Sequence, residues 1–232
     1  MKKNILIIGG SKGIGNAIVK LLQNDYNLFI ANRTQEGIEE LDVNYIKFDV
    51  LQGIFSKESL PDKLDGFVYC PGSINLRPFK GLKSSTFQED FNINVIGAIN
   101  CLQSVLELLQ KSEQASIVFF STVAVQTGMP FHSSVATSKG AIEGITRSLA
   151  AEFSPNIRVN AIAPSITYTP LSYKFLNNES KIEKAKDRHP LKEIGSSEDI
   201  AQLAKFLLSD KSKWMTGQIL HLDGGIGDLK TN

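Results

Sequence analysis

The stretch NILIIGGSKGIG (residues 4–15) decides the fold of this chain. Residues 5–8 form an apolar run that is typical of a strand buried on both faces, and a glycine-rich segment follows at once. A helical pattern then begins at Ile14. Glycines let a backbone turn tightly and approach a pyrophosphate, and the helix N-terminus attracts its negative charge. We therefore predict a dinucleotide site formed by Gly9, Ser11, Lys12, Gly13, Ile14 and Gly15.

Short apolar runs alternate with longer helical patterns along the rest of the chain. Seven runs rich in Ile, Val, Leu and Phe predict buried strands: Asn4–Ile8, Asn27–Ala31, Asn44–Phe48, Gly66–Cys70, Ser116–Ser121, Arg158–Ala163 and Gln218–Leu222. Four helices are predicted: Ile14–Gln23, Thr86–Gln110, Ser133–Glu152 and Ser197–Leu208, the last with Ser196 as its cap and Asp199 three residues on. The alternation indicates the α/β class: one Rossmann-type domain (residues 1–232) with a doubly wound parallel sheet of about seven strands and helices on both faces.

The segment 168–190 breaks this alternation. It is polar and basic, and it joins the sixth strand to the last helix, at the sheet edge where ligands bind in doubly wound folds. We predict a substrate lid here, and a plain surface loop is the alternative. Five cations could meet a phosphopantetheine group or an acidic carrier protein, but a solvated helical face is favoured because acids are interspersed: Lys174, Lys181, Lys184, Lys186 and Arg188 among Glu179, Glu183 and Asp187.

Composition excludes several other classes of function. The formal net charge is +1, so a general role on nucleic acid or on a membrane surface is not expected. The two cysteines and three histidines show no metal-site spacing, and we expect no metal. The apolar run near the N-terminus is too short for a signal sequence, and no stretch approaches the length of a membrane span. A cytoplasmic location is expected.

The residues after the second strand bear on the choice of dinucleotide. An acid there would bind the ribose 2′-hydroxyl of NAD, but the sequence reads Ala31-Asn32-Arg33. The guanidinium of Arg33 can pair with a 2′-phosphate, and Lys12 can add a second cation. The alternative is that both are solvated surface charges. The pair favours NADP(H) over NAD(H).

At this point the chain resembles the short-chain dehydrogenase/reductase family, in its 3-oxoacyl-carrier-protein reductase-like branch. The motifs that carry the resemblance occur in order along nearly the whole chain: GGSKGIG, FDV, FNINVIGA, IVFFST, ATSKGAIEGITRSLAAEF, RVNAIAP, HPLKEIG and WMTGQILHLDGG. The resemblance implies hydride transfer on a carbonyl/alcohol pair, with Asn94, Thr122 and Lys139 in the active site. It also implies cofactor contacts from Asp49, Val50, Cys70, Pro71, Gly72, Lys139, Pro164, Thr167 and Thr169.

Four residues before Lys139, where the family carries its proton-donating tyrosine, this chain has Val135. Thr122 precedes Val135 by 13 residues, the spacing usual between the family's serine and tyrosine, so a slipped alignment is not the explanation. His132 and Tyr168 are candidate substitute donors, and Tyr69 is a weaker one. The alternatives are a loop role for His132 and packing roles for both tyrosines.

Further departures from the family are milder. Cys70-Pro71-Gly72 stands where the family has Asn-Ala-Gly, and Ser165 replaces a glycine, so its backbone must avoid angles that only glycine adopts. Ser133 and Ser134 are expected to cap their helix.

Two functional hypotheses follow. The first is an NADP(H)-dependent oxidoreductase with a non-standard proton donor, acting on a small molecule such as a 3-oxoacyl thioester. The second is a cofactor-binding protein with little or no activity, a sensor or a structural partner. A non-redox reaction on the same scaffold is a weaker third. The resemblance implies a homodimer or homotetramer formed through the Thr86–Gln110 and Ser133–Glu152 helices.

Overall fold

The computed structural model describes residues 2–52 and 55–230 and shows one sheet of seven strands, each parallel to its neighbours. The strand order is β3-β2-β1-β4-β5-β6-β7. The strands are β1 (Asn4–Ile8), β2 (Asn27–Asn32), β3 (Asn44–Lys47), β4 (Gly66–Tyr69), β5 (Ala115–Phe120), β6 (Ile157–Pro164) and β7 (Ile219–Leu222). Each lies within one residue of its predicted bounds, so the predicted doubly wound parallel sheet is confirmed.

Helices pack on both faces of this sheet. They are α1 (Gly13–Leu22), α2 (Ser84–Phe91), α3 (Gly97–Gln110), α4 (Ala124–Thr127), α5 (Ser133–Phe153), α6 (Glu179–Arg188) and α7 (Ser197–Leu208). A π-helical turn, Asn92–Ile96, joins α2 to α3. The predicted cap of α7 is confirmed, because the Ser196 hydroxyl and the Asp199 carboxylate form a reciprocal capping box.

Alternation along the strands separates two apolar cores. In β1, the side chains of Ile5 and Ile7 pack towards α1 and α7, whereas Leu6 and Ile8 pack towards α3 and α5. All four are essentially inaccessible to solvent. Both faces of the strand are covered because helices lie on each side, which explains why the sequence shows an unbroken apolar run. The strand order reverses between β1 and β4, and ligands bind beside the carboxyl ends of the strands at such a point.

The segment 168–190 contains a helix, α6, in agreement with the solvated helical face favoured for its charged residues. Two expectations about local structure are corrected. Ser133 and Ser134 do not cap α5: the cap position is His132, without a side-chain hydrogen bond, and the Ser134 hydroxyl donates instead to Asp90. One segment does have the length and hydropathy of a membrane span, Ser84–Gln110, although half of that apolar window is buried within the fold.

Candidate active site

A cleft of about 670 Å³ opens at the carboxyl ends of β4, β5 and β6. Three residues predicted to be catalytic line it together: Asn94, Thr122 and Lys139. The segment 168–190 contributes Leu171 and Phe175 to its wall. Also at the cleft are Ile14, Cys70, Gly72, His132, Val135, Pro164, Thr167 and Thr169. Residues that are distant in sequence therefore meet at one edge of the sheet.

Lys139 is the buried cation of this cleft. It lies on α5 and is only 9% exposed. Burial lowers the pKa of its ammonium to about 8, although the nearby Cys70 and Asp90 oppose that shift. Among the described residues, 2–52 and 55–230, no carboxylate lies within ion-pair distance of Lys139 Nζ. The charge is thus available to a ligand in the cleft.

Asn94 is held rigidly beside this lysine. It lies in the π-helical turn, is fully buried, and its Oδ1 accepts a hydrogen bond of 3.2 Å from the backbone of Ser73. Its Nδ2 donates to the hydroxyls of Ser73 and Ser138, each at 3.2 Å. A Cβ on Gly72 would lie 3.2 Å from Asn94 Oδ1, a tight contact, so glycine lets this loop approach the amide without displacing it.

A second buried group, Asp90, supports the same loop. Its carboxylate is inaccessible to solvent and accepts hydrogen bonds from Ser73, from Asn75 at 2.9 Å and from Ser134 at 2.6 Å. These donors belong to the loop after β4 and to α5, so Asp90 ties that loop to the helix that carries Lys139. Sequence reasoning missed Asp90 because an acid on a helix is normally solvated, and its partners are far away in the chain.

Three side chains at the cleft bear on proton transfer, and their surroundings differ. Thr122 is half-buried, and its hydroxyl oxygen accepts a hydrogen bond from the backbone N–H of Ala124. Because the hydroxyl is the acceptor in this bond, its proton can be donated to another group. Val135 is buried and contributes only methyl groups. His132 Nδ1 lies 2.7 Å from the carbonyl oxygen of Pro130, and because a carbonyl only accepts, Nδ1 is the donor.

The two tyrosines considered as donors lie elsewhere. Tyr168 is 44% exposed and does not line the cleft. Tyr69 is buried, its hydroxyl donates to the carbonyl of Ile93, and burial raises its pKa. Burial likewise raises the pKa of the Cys70 thiol to about 12, so this cysteine lines the cleft as a neutral, weakly polar group.

The glycine loop fits a pyrophosphate. Gly9 and Gly13 have φ angles of +82° and +53°, a region that favours glycine. A Cβ on Gly15 would overlap the carbonyl oxygen of Gly9, so α1 begins pressed against the end of β1. The first turn of α1 has no side-chain cap, and its backbone N–H groups are the donors that an anion requires.

Asn32 fits the adenine-side ribose of a dinucleotide. It ends β2, is 4% exposed, and neither its amide nitrogen nor its amide oxygen has a hydrogen-bond partner among the described residues. Buried polar groups are almost always satisfied, so an amide in this state suits a ligand. Arg33 is exposed beside it. Lys12 forms a 2.8 Å ion pair with Glu36, an acid in the loop after β2.

The other predicted cofactor residues lie in the turn after β3 or close to the glycine loop. The carboxylate of Asp49 accepts a hydrogen bond from the backbone of Leu51, which closes the turn after β3. Val50 lies against Gly97. Thr169 lies close to the glycine loop, because a Cβ on Gly13 would be 3.3 Å from Thr169 Cβ. Pro71 contacts Gly9 in a similar way. The start of the segment 168–190 therefore faces the phosphate site.

The Asp90 cluster generates a prediction about stability. Replacing Asp90 by alanine leaves the hydroxyls of Ser73 and Ser134 and the amide of Asn75 without their acceptor, at a cost of about 1–3 kcal/mol for each lost bond to a charged group. We expect Asp90→Ala to lower the free energy of unfolding by about 3 kcal/mol, measured by urea denaturation. Its exposed neighbour provides the control, since Glu89→Ala should change stability by less than about 0.5 kcal/mol. Equal effects of the two substitutions would contradict this role.

The buried ammonium generates a second prediction. The pKa of Lys139 falls from 10.5 in a model peptide to about 8 in the fold, so below pH 8 both states are protonated and the full burial cost lowers stability. Between pH 8 and 10.5 the folded protein releases its proton first, and this cost disappears. Relative to Lys139→Met, the wild-type free energy of unfolding should rise by about 3 kcal/mol across this window. Parallel pH profiles of the two proteins in urea denaturation would contradict the assignment.

Comparison with known proteins identifies the family. A family model described as enoyl-(acyl carrier protein) reductase matches residues 9–227. The 2,5-dichloro-2,5-cyclohexadiene-1,4-diol dehydrogenase of Sphingobium indicum is 30% identical over 240 residues, covering 96% of each chain. The 3-oxoacyl-[acyl-carrier-protein] reductase of Thermotoga maritima is 31% identical over 245 residues, covering 97% of each chain.

Solved structures agree over the full length. A short chain dehydrogenase family protein from Francisella tularensis matches with a TM-score of 0.88 and 28% identity, over 99% of this chain and 100% of that one. The structure titled ElxO with NADP bound matches with a TM-score of 0.86 and 28% identity, over 97% and 99% of the two chains. The sheet order, the glycine loop and these matches lead to one conclusion: this chain belongs to the short-chain dehydrogenase/reductase family, whose members bind a nicotinamide cofactor.

Proposed function

We propose that this protein is an NADP(H)-dependent oxidoreductase that interconverts a carbonyl and an alcohol with a non-standard proton donor. The observation that carries the proposal is the convergence of Lys139, Asn94 and Thr122 in one cleft beside the glycine loop. A buried ammonium with no carboxylate partner is costly to a fold. We attribute the presence of this ammonium beside a dinucleotide site to a ligand that interacts with its charge.

Each residue of the cleft then has a task. Bound NADP(H) supplies or accepts the hydride. Lys139 holds the nicotinamide ribose with its ammonium, and the Thr122 hydroxyl donates a hydrogen bond to the substrate oxygen. Asn94 keeps the loop after β4 in place through its bonds to Ser73. Leu171 and Phe175 supply an apolar wall that excludes water from the reacting carbon.

We further propose that Val135 occupies the position of the family's tyrosine. It lies one turn before Lys139 on α5, and residues four apart share a face of a helix. General acid–base assistance contributes about 10²–10⁴ in rate, so its loss still permits hydride transfer through positioning. Because valine carries no transferable proton, the second candidate is an NADP(H)-binding protein of weak activity that serves as a sensor or structural partner.

The substrate class is proposed from the relatives and from the cleft. The matching family description and the Thermotoga maritima relative both name acyl-carrier-protein substrates, and the Sphingobium indicum relative is named for a cyclic diol. The cleft is walled mainly by apolar side chains, including Leu76, Met129 and Phe131. We propose a small, largely apolar carbonyl compound or acyl thioester.

Two measurements test this function. NADPH is titrated by its fluorescence, and hydride transfer to 3-oxoacyl thioesters, ketones and quinones is followed by NADPH absorbance. We expect binding, and turnover with at least one acceptor. Binding without turnover would support the sensor or structural role, and absence of binding would contradict both candidates.

The NADP(H) preference predicts the behaviour of an Arg33 variant. Hydrogen bonds to charged groups contribute about 1.5–3 kcal/mol, so Arg33→Ala should weaken NADPH binding by about 10- to 100-fold. NADH binding should change by less than about 3-fold, because NADH lacks the 2′-phosphate that the guanidinium would bind. Lys111→Ala, an exposed cation just after α3, is the control. Equal weakening of NADPH and NADH would contradict the assignment.

Restoring a phenol at position 135 tests the missing donor. We expect Val135→Tyr to raise kcat for ketone reduction by up to about 10²-fold, because its hydroxyl would stand one helical turn from the Lys139 ammonium. Val135→Phe is the matched control: it adds the same ring without the proton and should give no gain. If both variants behave alike, proton supply does not limit the reaction. The kcat of His132→Ala and of Tyr168→Phe is measured in the same assay. A loss of kcat in either variant would identify that side chain as a proton donor.

A further inference from the structure

A serine and a histidine form a hydrogen-bonded pair on the wall of the cleft. Ser165 follows the last residue of β6, and its Oγ lies 2.8 Å from Nε2 of His189, the residue directly after α6. Both residues line the cleft that holds Lys139 and Thr122. Neither was among the predicted catalytic residues. The two lie 24 residues apart in the chain, so only the fold brings them together.

The second ring nitrogen of this histidine fixes its role. His189 Nδ1 lies 2.7 Å from the carbonyl oxygen of Ala185, one turn earlier in α6. A carbonyl only accepts, so Nδ1 carries a proton in every state of the ring. In the neutral ring Nε2 is therefore bare and accepts the proton of the Ser165 hydroxyl. In the charged ring Nε2 donates to Ser165, which then directs its own proton elsewhere.

The surroundings hold the imidazole in this orientation. His189 is 2% exposed, and its ring packs on Gly224, where an added Cβ would lie 3.2 Å from the ring carbon Cδ2. A nucleophile or acid, a base within hydrogen-bond reach and a third group that orients the base are the parts of a proton-transfer site. Here the third group is the Ala185 carbonyl.

Ser165 also lies next to the strand end that is followed by Thr122, the residue proposed to bind the substrate oxygen. β5 and β6 are parallel neighbours, and the backbone N–H of Val123 donates to the carbonyl of Pro164 at 3.1 Å. The hydroxyls of Thr122 and Ser165 therefore follow the carboxyl ends of adjacent strands, whose backbones are about 4.8 Å apart. The backbone of Ser165 does not adopt a positive φ, as expected for a serine at this position.

We propose that Ser165 and His189 form the proton relay that replaces the missing tyrosine, with Ser165 as the catalytic acid and base. This inference rests on the proposed function. In ketone reduction the carbon gains the hydride and the oxygen gains a proton from Ser165, which regains one from the protonated His189. In alcohol oxidation Ser165 Oγ takes the hydroxyl proton as its own passes to His189 Nε2, and the carbon loses the hydride.

The test uses a ketone reduced by the wild type and its trifluoromethyl analogue. Ser165→Ala should lower kcat for the ketone by about 10²-fold, as loss of general acid catalysis does. The trifluoromethyl group makes the product alkoxide less basic, so we expect a loss below about 10-fold with the analogue. A purely structural role of Ser165 would slow both substrates equally, and that result would overturn the relay.

Conservative and control variants sharpen the result. Ser165→Thr keeps the hydroxyl and should stay within about 10-fold of the wild type, whereas His189→Gln should lose at least about 10-fold, because an amide cannot release a proton. Ser104→Ala and His221→Gln, a serine and a histidine that do not line the cleft, should behave as wild type.

A readout independent of turnover examines the pair itself. In protein labelled with ¹⁵N-histidine, at a pH where the ring is neutral, His189 should be protonated at Nδ1 and bare at Nε2. Ser165→Ala should shift the Nε2 resonance and leave Nδ1 in place. Protonation at Nε2 would overturn the relay.

The remaining outcomes separate the relay from the function on which it rests. If the wild type reduces no carbonyl, the proposed function fails and the relay fails with it. If the wild type is active and Ser165→Ala keeps its rate, only the relay is wrong. Covalent labelling of Ser165 by a fluorophosphonate, together with hydrolysis of acyl esters that Ser165→Ala abolishes, would overturn it in favour of a serine nucleophile.

Discussion

The burial of one ammonium group, that of Lys139, sets the conditions for the rest of the cleft. Removing such a charge from water costs several kcal/mol, and a carboxylate at ion-pair distance would normally offset part of it. Here the carboxylate of Asp90 is near enough to favour the charged form, but it is bound to Ser73, Asn75 and Ser134 instead. The protein therefore keeps an unneutralised charge where a ligand can reach it, a trade of stability for binding.

The helical segment from α2 to α3 positions Asn94 in the cleft through one irregular turn. A regular α-helix would fix the direction of every side chain by its 3.6-residue period, whereas the π-helical turn Asn92–Ile96 inserts a residue and changes the register. Asn94 lies within that turn, with all its amide bonds directed to Ser73 and Ser138. The irregular turn therefore joins the loop after β4 to α5, and the apolar length of the segment reflects packing on the sheet.

The sequence predicts those features that depend on neighbours in the chain. The apolar run before Gly9 fixes β1, and the SSED pattern fixes the start of α7, because each is a local pattern. Ion pairs and hydrogen bonds between residues that are distant in the chain produce no local sequence pattern. Glu36 and Lys12, which lie in different loops, form an ion pair. Ser134 was expected to cap its helix, but its hydroxyl donates to Asp90, 44 residues away. For the same reason the family pattern predicts a departure at position 135 but does not predict which polar groups lie around it.

A serine and a phenol solve the problem of proton supply in different ways. A phenol becomes a donor near neutral pH when an adjacent ammonium lowers its pKa, which ties the proton and the charge to one helix. A serine hydroxyl is too weak an acid for that and needs an imidazole, which His189 provides at 2.8 Å. The proposed relay would separate the two tasks: Lys139 on α5 keeps the charge, and the proton moves to His189, directly after α6. Because Leu171, Phe175 and His189 of the segment 168–190 all line the cleft, one segment would contact the substrate and carry the base of the proposed relay.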